Sequence, residues 1–109
     1  MTNKNLQSNF KLINTRFFDG RVPADIKVQF VPSAELDGDD GEYTESEKTI
    51  KITEDFRRHE NAALVVLIHE MAHAALPAYI GWNDKEDHGD RFEALRAELY
   101  LKGAYDGLL

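Results

Sequence analysis

The chain contains no cysteine, which excludes disulfides, thiolate-held zinc and thiol nucleophiles and leaves histidine and carboxylate as the metal ligands on offer. That usage fits a reducing compartment. Positive charge is scarce as well: 13 Lys and Arg against 20 Asp and Glu give a net charge of -7. A basic footprint for nucleic acid or for an anionic membrane surface is therefore missing. Long apolar runs are absent too. The longest, Ala62 to Ile68, falls far short of the roughly 20 residues that span a bilayer, and Met1-Thr2-Asn3-Lys4-Asn5 lacks the apolar core of a secretory signal. The expectation is a soluble, cytoplasmic protein without membrane contact. With 109 residues, of which 42% are hydrophobic, one domain spanning 1–109 is expected, because such a chain fills one core and not two. Repeats, low-complexity tracts and linkers are missing, and the sequence is silent on oligomeric state.

What is present reads as an ordered set of elements. Leu6, Phe10, Ile13 and Phe17 recur at the period of one helix face, and Gly20 supplies a stop. Asp25 to Val31 alternates polar and apolar residues before Pro32, and Thr49 to Thr53 does the same, as half-buried strands do. A shorter strand at Glu42-Tyr43-Thr44 pairs with the latter through Glu45 and Ser46. The intervening Glu35 to Glu42 is rich in glycine and carboxylate, which marks a turn. It is not a calcium loop of the EF-hand kind: counted from Asp37, the fifth and twelfth positions hold Gly41 and Lys48 instead of acidic ligands. From Glu60 to Leu76 the sequence is helix-forming and apolar nearly all round, so this helix runs through the core. Pro77 and Gly81 are expected to end it shortly after His73. Phe92, Leu95 and Leu99 mark the buried face of a final helix, with Glu98 and Lys102 as a surface pair. Helix, strands, helix, helix argues an α+β fold with a small, mainly antiparallel three-stranded sheet.

Within the core helix stands His69-Glu70-Met71-Ala72-His73, an H-E-x-x-H run. Two histidines four apart lie one above the other on a helix face, so their imidazoles can share one zinc ion, and Glu70 sits about 100° round the helix. A catalytic zinc commonly takes three protein ligands and water. His88, beyond the two breaks at Pro77 and Gly81, is the best third ligand. Asp84, Glu86, Asp87, Asp90 and Glu93 are its rivals, and spacing alone does not choose among them. Three histidines suit zinc and also accommodate other first-row ions.

Taken with His88-Gly89-Asp90-Arg91-Phe92, the run resembles the SprT-like (Spartan-type) zinc metalloprotease domain, in which the H-E-x-x-H helix is followed by an H-G-x-x-F segment. Asn14-Thr15-Arg16-Phe17-Phe18-Asp19-Gly20-Arg21-Val22-Pro23 is similar to that family's N-x-x-x-F-x-G-x-L-P type segment, with Val22 in place of the leucine. The likeness covers about residues 5 to 103. It implies a zincin-like minimal domain, His69, His73 and His88 as zinc ligands, and a metallopeptidase acting on a protein or peptide substrate. Cleavage of DNA-crosslinked proteins is not carried over, because family members often bear a cysteine zinc ribbon or a basic region and this chain is acidic and cysteine-free.

The residues permit hydrolysis in which a zinc-activated water attacks a peptide carbonyl with Glu70 as general base. Tyr43, Tyr79 and His59 are open candidates for stabilising the oxyanion. Substrate could add as a strand to the sheet edge, where the acidic residues from Asp37 to Glu47 would favour basic peptides. The alternative is a zinc-binding regulatory or interaction module that keeps the site without efficient cleavage.

Overall fold

Polar side chains at the start of the first helix decide how the sheet is finished. Helix α1 (Asn3–Phe17) opens on a capping box in which Thr2 Oγ1 accepts from the Asn5 amide at 3.1 Å and Asn5 Oδ1 accepts from the Thr2 amide at 2.9 Å. One turn on, Gln7 Nε2 donates to the Ile26 carbonyl and its Oε1 accepts from the Val28 amide, both at 2.9 Å. Asn3 Oδ1 accepts from the Phe30 amide at 2.8 Å. These bonds cap the outer edge of strand β1 (Lys27–Val31), which would otherwise offer unpaired backbone groups. This computed structural model describes residues 1–80 and 89–109.

Strands β2 (Gly41–Thr44) and β3 (Thr49–Thr53) complete a three-stranded sheet in the order β1-β3-β2. The sheet is mixed, which corrects the mainly antiparallel arrangement expected. β3 runs parallel to β1, with Val28 opposite Ile50 and Phe30 opposite Ile52, and antiparallel to β2, with Tyr43 opposite Ile50. The connection after β1 contains a short 3-10 turn, Ser33–Leu36, whose Leu36 is buried. It carries the chain to the far side, so β2 becomes an edge and β3 returns through the middle. Alternating hydropathy reports which side chain faces the core but carries no information on strand direction. The tight return includes Lys48 at φ 51°, a left-handed residue after the Lys48 amide bond to the Glu45 carbonyl.

Helix α2 (Glu60–Ile80) packs on β2 and β3, α1 packs on β1, and α3 (Asp90–Leu101) lies on α2. The expected end of α2 after His73 is also corrected, since the helix continues through Pro77 to Ile80. A proline near a helix end forgoes one backbone bond, to the carbonyl four residues earlier. Leu67, Ile68, Met71, Ala72, Ala75 and their neighbours are buried in the common core, and that burial outweighs a single lost bond. On α3, Phe92, Leu95 and Leu99 are all buried, as their spacing required. The Glu98–Lys102 pair forms at 3.4 Å, and Lys102 also reaches Asp19 at 3.6 Å, tying the end of α3 to the end of α1. No helix among the described residues is long and apolar enough to cross a membrane.

The Asn14 to Pro23 segment earns a physical explanation. Asn14 is buried, its Nδ2 donates to the Val22 carbonyl at 2.8 Å, and its Oδ1 accepts from the Val22 amide at 3.0 Å. The Gly20 amide returns to the Asn14 carbonyl at 2.9 Å, with Gly20 at φ 73°, a conformation glycine adopts without a Cβ clash. Phe18 is fully buried, whereas Phe17, on the periodic face of α1, is only partly covered. Asn14→Ala is expected to cost about 2–4 kcal/mol, because two buried backbone groups of Val22 lose their partner. Asn14→Asp removes the amide donor and sets a carboxylate against a carbonyl, so urea unfolding should rank it at least as damaging.

Candidate active site

The histidine pair emerges from helix geometry alone. His69 and His73 lie on the same side of α2, both half-buried, with ring centroids 5.0 Å apart and planes at 73°. Between them Glu70, Met71 and Ala72 are buried, Glu70 with 8% exposure. A carboxylate so enclosed requires partners to offset its desolvation, and Glu70 does have interactions with its surroundings.

The other side of Glu70 is set by a glycine. A Cβ built on Gly41 would collide with Val66 Cγ1, lie 3.1 Å from the Lys51 carbonyl oxygen and 3.5 Å from Glu70 Cγ. The first residue of β2 thus lies directly on α2 beside the Glu70 side chain. Since β1's outer edge is capped by Gln7 and Asn3, β2 is the sheet's open edge among the described residues.

Sequence reasoning assigned Phe92 to the core and missed its second role. Its ring, fully buried, stacks on His73 at 4.3 Å and 25° and meets His69 edge-on at 5.0 Å and 63°. One aromatic plane from α3 therefore orients both imidazoles. Should the histidine pair hold zinc, Phe92→Leu, which keeps apolar bulk but loses the flat face, is expected to weaken that binding about 10–100-fold, the effect of losing support behind a ligand. Phe92→Ala should in addition cost about 3–5 kcal/mol of stability. Zinc titration beside denaturant unfolding separates the two effects, and a purely structural Phe92 would move only the second.

The remaining sites divide by position. His88, with Trp82, Asp84, Glu86 and Asp87, lies outside the described residues, as does the Tyr79 side chain. Among the described residues no three His, Asp or Glu side chains converge as a metal-holding group. Asp90 and Glu93, which are described, do not form such a group with His69 and His73. His59 is exposed just before α2, ten residues and about 15 Å along the helix axis from His69, too far to stabilise an oxyanion there. Tyr43 shares the α2-facing side of β2 with Gly41. Burial first, and then Glu45 and Asp25, push its phenol above the usual tyrosine range, so it stays a proton donor. Two imidazoles at i and i+4 are a chemically apt donor set for zinc.

The domain is α+β, and its core helix carries the H-E-x-x-H run with a ring from the next helix against both histidines. The chain belongs to the SprT-like family, whose family model matches residues 6–104. That family is associated with metallopeptidase function. No curated protein and no solved structure matches the chain.

Proposed function

We propose that the protein is a zinc-dependent metallopeptidase in which His69, His73 and His88 hold the ion and Glu70 is the general base. The observation that carries this reading is the flanking of Glu70 on both sides. On one flank are His69 and His73. On the other is the start of the open edge strand β2. Bound zinc would supply a water acidified toward neutrality and a Lewis acid for the scissile carbonyl. Glu70 would take the proton from the attacking water and return it to the leaving amine, so the peptide bond breaks with no net gain or loss of protons at the carboxylate. The open edge of β2 would hold an extended polypeptide as an added strand, presenting its backbone next to Glu70. Rigid placement of Glu70 on a buried helix supports orientation, which supplies much of the barrier reduction in such reactions. An acidic, cysteine-free chain fits a cytoplasmic setting.

The test is incubation of the zinc-loaded protein with an unfolded polypeptide, before and after chelation. Fragments that vanish on chelation and return with zinc are the expected outcome. A zinc-binding regulatory module would keep the ion and leave the polypeptide intact.

A further inference from the structure

A groove between α2 and α3 opens beside the histidine pair, with a cavity of about 610 Å³ walled by Val65, His69, Ala97, Tyr100, Leu101 and Tyr105. We infer that this groove is the substrate side-chain pocket, and that it takes a large apolar residue, such as Leu, Met or Phe, of an extended polypeptide. The inference rests on the metallopeptidase reading for the chemistry next door, though not for the binding itself.

Four observations fix the occupant. His69 belongs both to the groove wall and to the pair proposed to hold zinc, so whatever fills the groove lies against the reacting centre. The volume falls in the range of ligand pockets, about 300–1,000 Å³, enough for one large side chain and its adjoining backbone. The lining side chains that carry formal charge, Glu93 and Arg96, are one of each sign. Glu93 and Arg96, which border the groove, neutralise each other at 3.2 Å, and burial raises the Tyr105 phenol so that it remains neutral. Finally, Leu101 is 85% and Tyr100 64% exposed. A run of such apolar surface beside a chemical site marks a place where binding covers it. Covering a leucine-sized side chain there strengthens binding roughly ten- to a hundredfold over alanine.

The groove also separates two tasks. β2 lies on the Glu70 flank and reads backbone, which is the same in every polypeptide. The α2–α3 groove lies on the His69 flank and reads one side chain. Selection would thus come from α3, chiefly from Ala97, whose small size leaves the space open.

The experiment uses the full chain carrying Glu70→Gln, so that bound peptides survive, and blocked unstructured peptides that differ only by Leu, Phe or Ala at one position. Methyl NMR follows Val65, Ala97 and Leu101. Leu and Phe peptides are expected to bind at least about tenfold tighter than the Ala peptide and to shift those methyls. Ala97→Phe fills the groove from an exposed position without entering the core, and Leu101→Asn makes its wall polar. Each is expected to abolish the preference while leaving the circular dichroism spectrum unchanged. Equal binding of all three peptides, or shifts confined to other methyls, would overturn the pocket. So would a protein that sediments as a dimer through Tyr100 and Leu101, because the second copy would then be the occupant. Cleavage by the wild-type chain keeps the two claims apart. Apolar peptides that fill the groove but are never cut sink the peptidase and leave the pocket standing. Peptides cut equally well whatever the residue, with Ala97→Phe unaltered, sink the pocket and leave the peptidase standing.

Discussion

Alanine at His69, His73 or His88 is expected to lower zinc affinity by about a thousandfold or more, with Asp84→Ala and Asp87→Ala leaving it unchanged. Removing support behind a ligand already costs about 10–100-fold, and removing a ligand itself costs more, because two donors cannot close the tetrahedral shell that zinc favours. The expectation differs among the three in one respect. His73 stacks on Phe92 and His69 meets the same ring edge-on, so their loss also exposes part of a buried aromatic face and should lower the unfolding midpoint. Both histidines are half-buried rather than enclosed, so the fold is expected to survive. Competition against a chromophoric chelator measures affinity, and circular dichroism on the same samples shows that folding is retained. An undiminished affinity in His88→Ala would move the third ligand to a carboxylate.

Glu70→Gln is expected to cut peptide hydrolysis by about 10²–10⁴-fold, the usual contribution of a positioned general base, while zinc stoichiometry stays the same. The amide is nearly isosteric with the carboxylate, so the packing around Gly41 Cα and Val66 is preserved, and what is lost is the capacity to accept a proton. The carboxylate is buried at 8% exposure and interacts with its surroundings, so the near-isosteric amide is expected to keep the fold, with an unfolding midpoint close to that of the wild type. Parallel progress curves on one unfolded polypeptide check the rate, and thermal unfolding checks the stability. Hydrolysis unchanged by the substitution would remove Glu70 from the reaction.

Much of this architecture was legible because it depends on local period. Leu6, Phe10 and Ile13 on α1, Val28 and Phe30 on β1, and Phe92, Leu95 and Leu99 on α3 are buried where their spacing placed them. The H-E-x-x-H run lies within one long helix, as its apolar surroundings demanded. What escaped depends on partners distant in sequence. The direction of β3 relative to β1 follows from how Ser33–Leu36 carries the chain, with Leu36 as its buried anchor, and no alternation in either strand records it. Phe18 rather than Phe17 fills the core because the chain leaves the helix there and turns through Asp19 and Gly20, both left-handed. Pro77 failed to stop α2 because helix burial, a tertiary effect, overrode a local preference.

The same distinction holds for the site. Spacing alone could place His69, Glu70 and His73 on their faces of α2, since four residues fix that geometry. It could not show that Gly41 brings an open strand edge against Glu70, or that Phe92 lies across both imidazoles. Those contacts join residues that are 29 and 19 positions apart in the chain, counted from Gly41 to Glu70 and from His73 to Phe92. The glycine at 41 looked like turn composition, and its close approach to α2 gives it a different reason to be there.

The most direct test of the central claim is mass spectrometry of one unfolded polypeptide incubated with the wild-type chain and with Glu70→Gln, each carrying a measured equivalent of zinc. The account predicts internal fragments from the first and intact polypeptide from the second at equal zinc content. Identical fragments from both, or intact polypeptide from a wild-type chain that firmly holds its zinc, would contradict it.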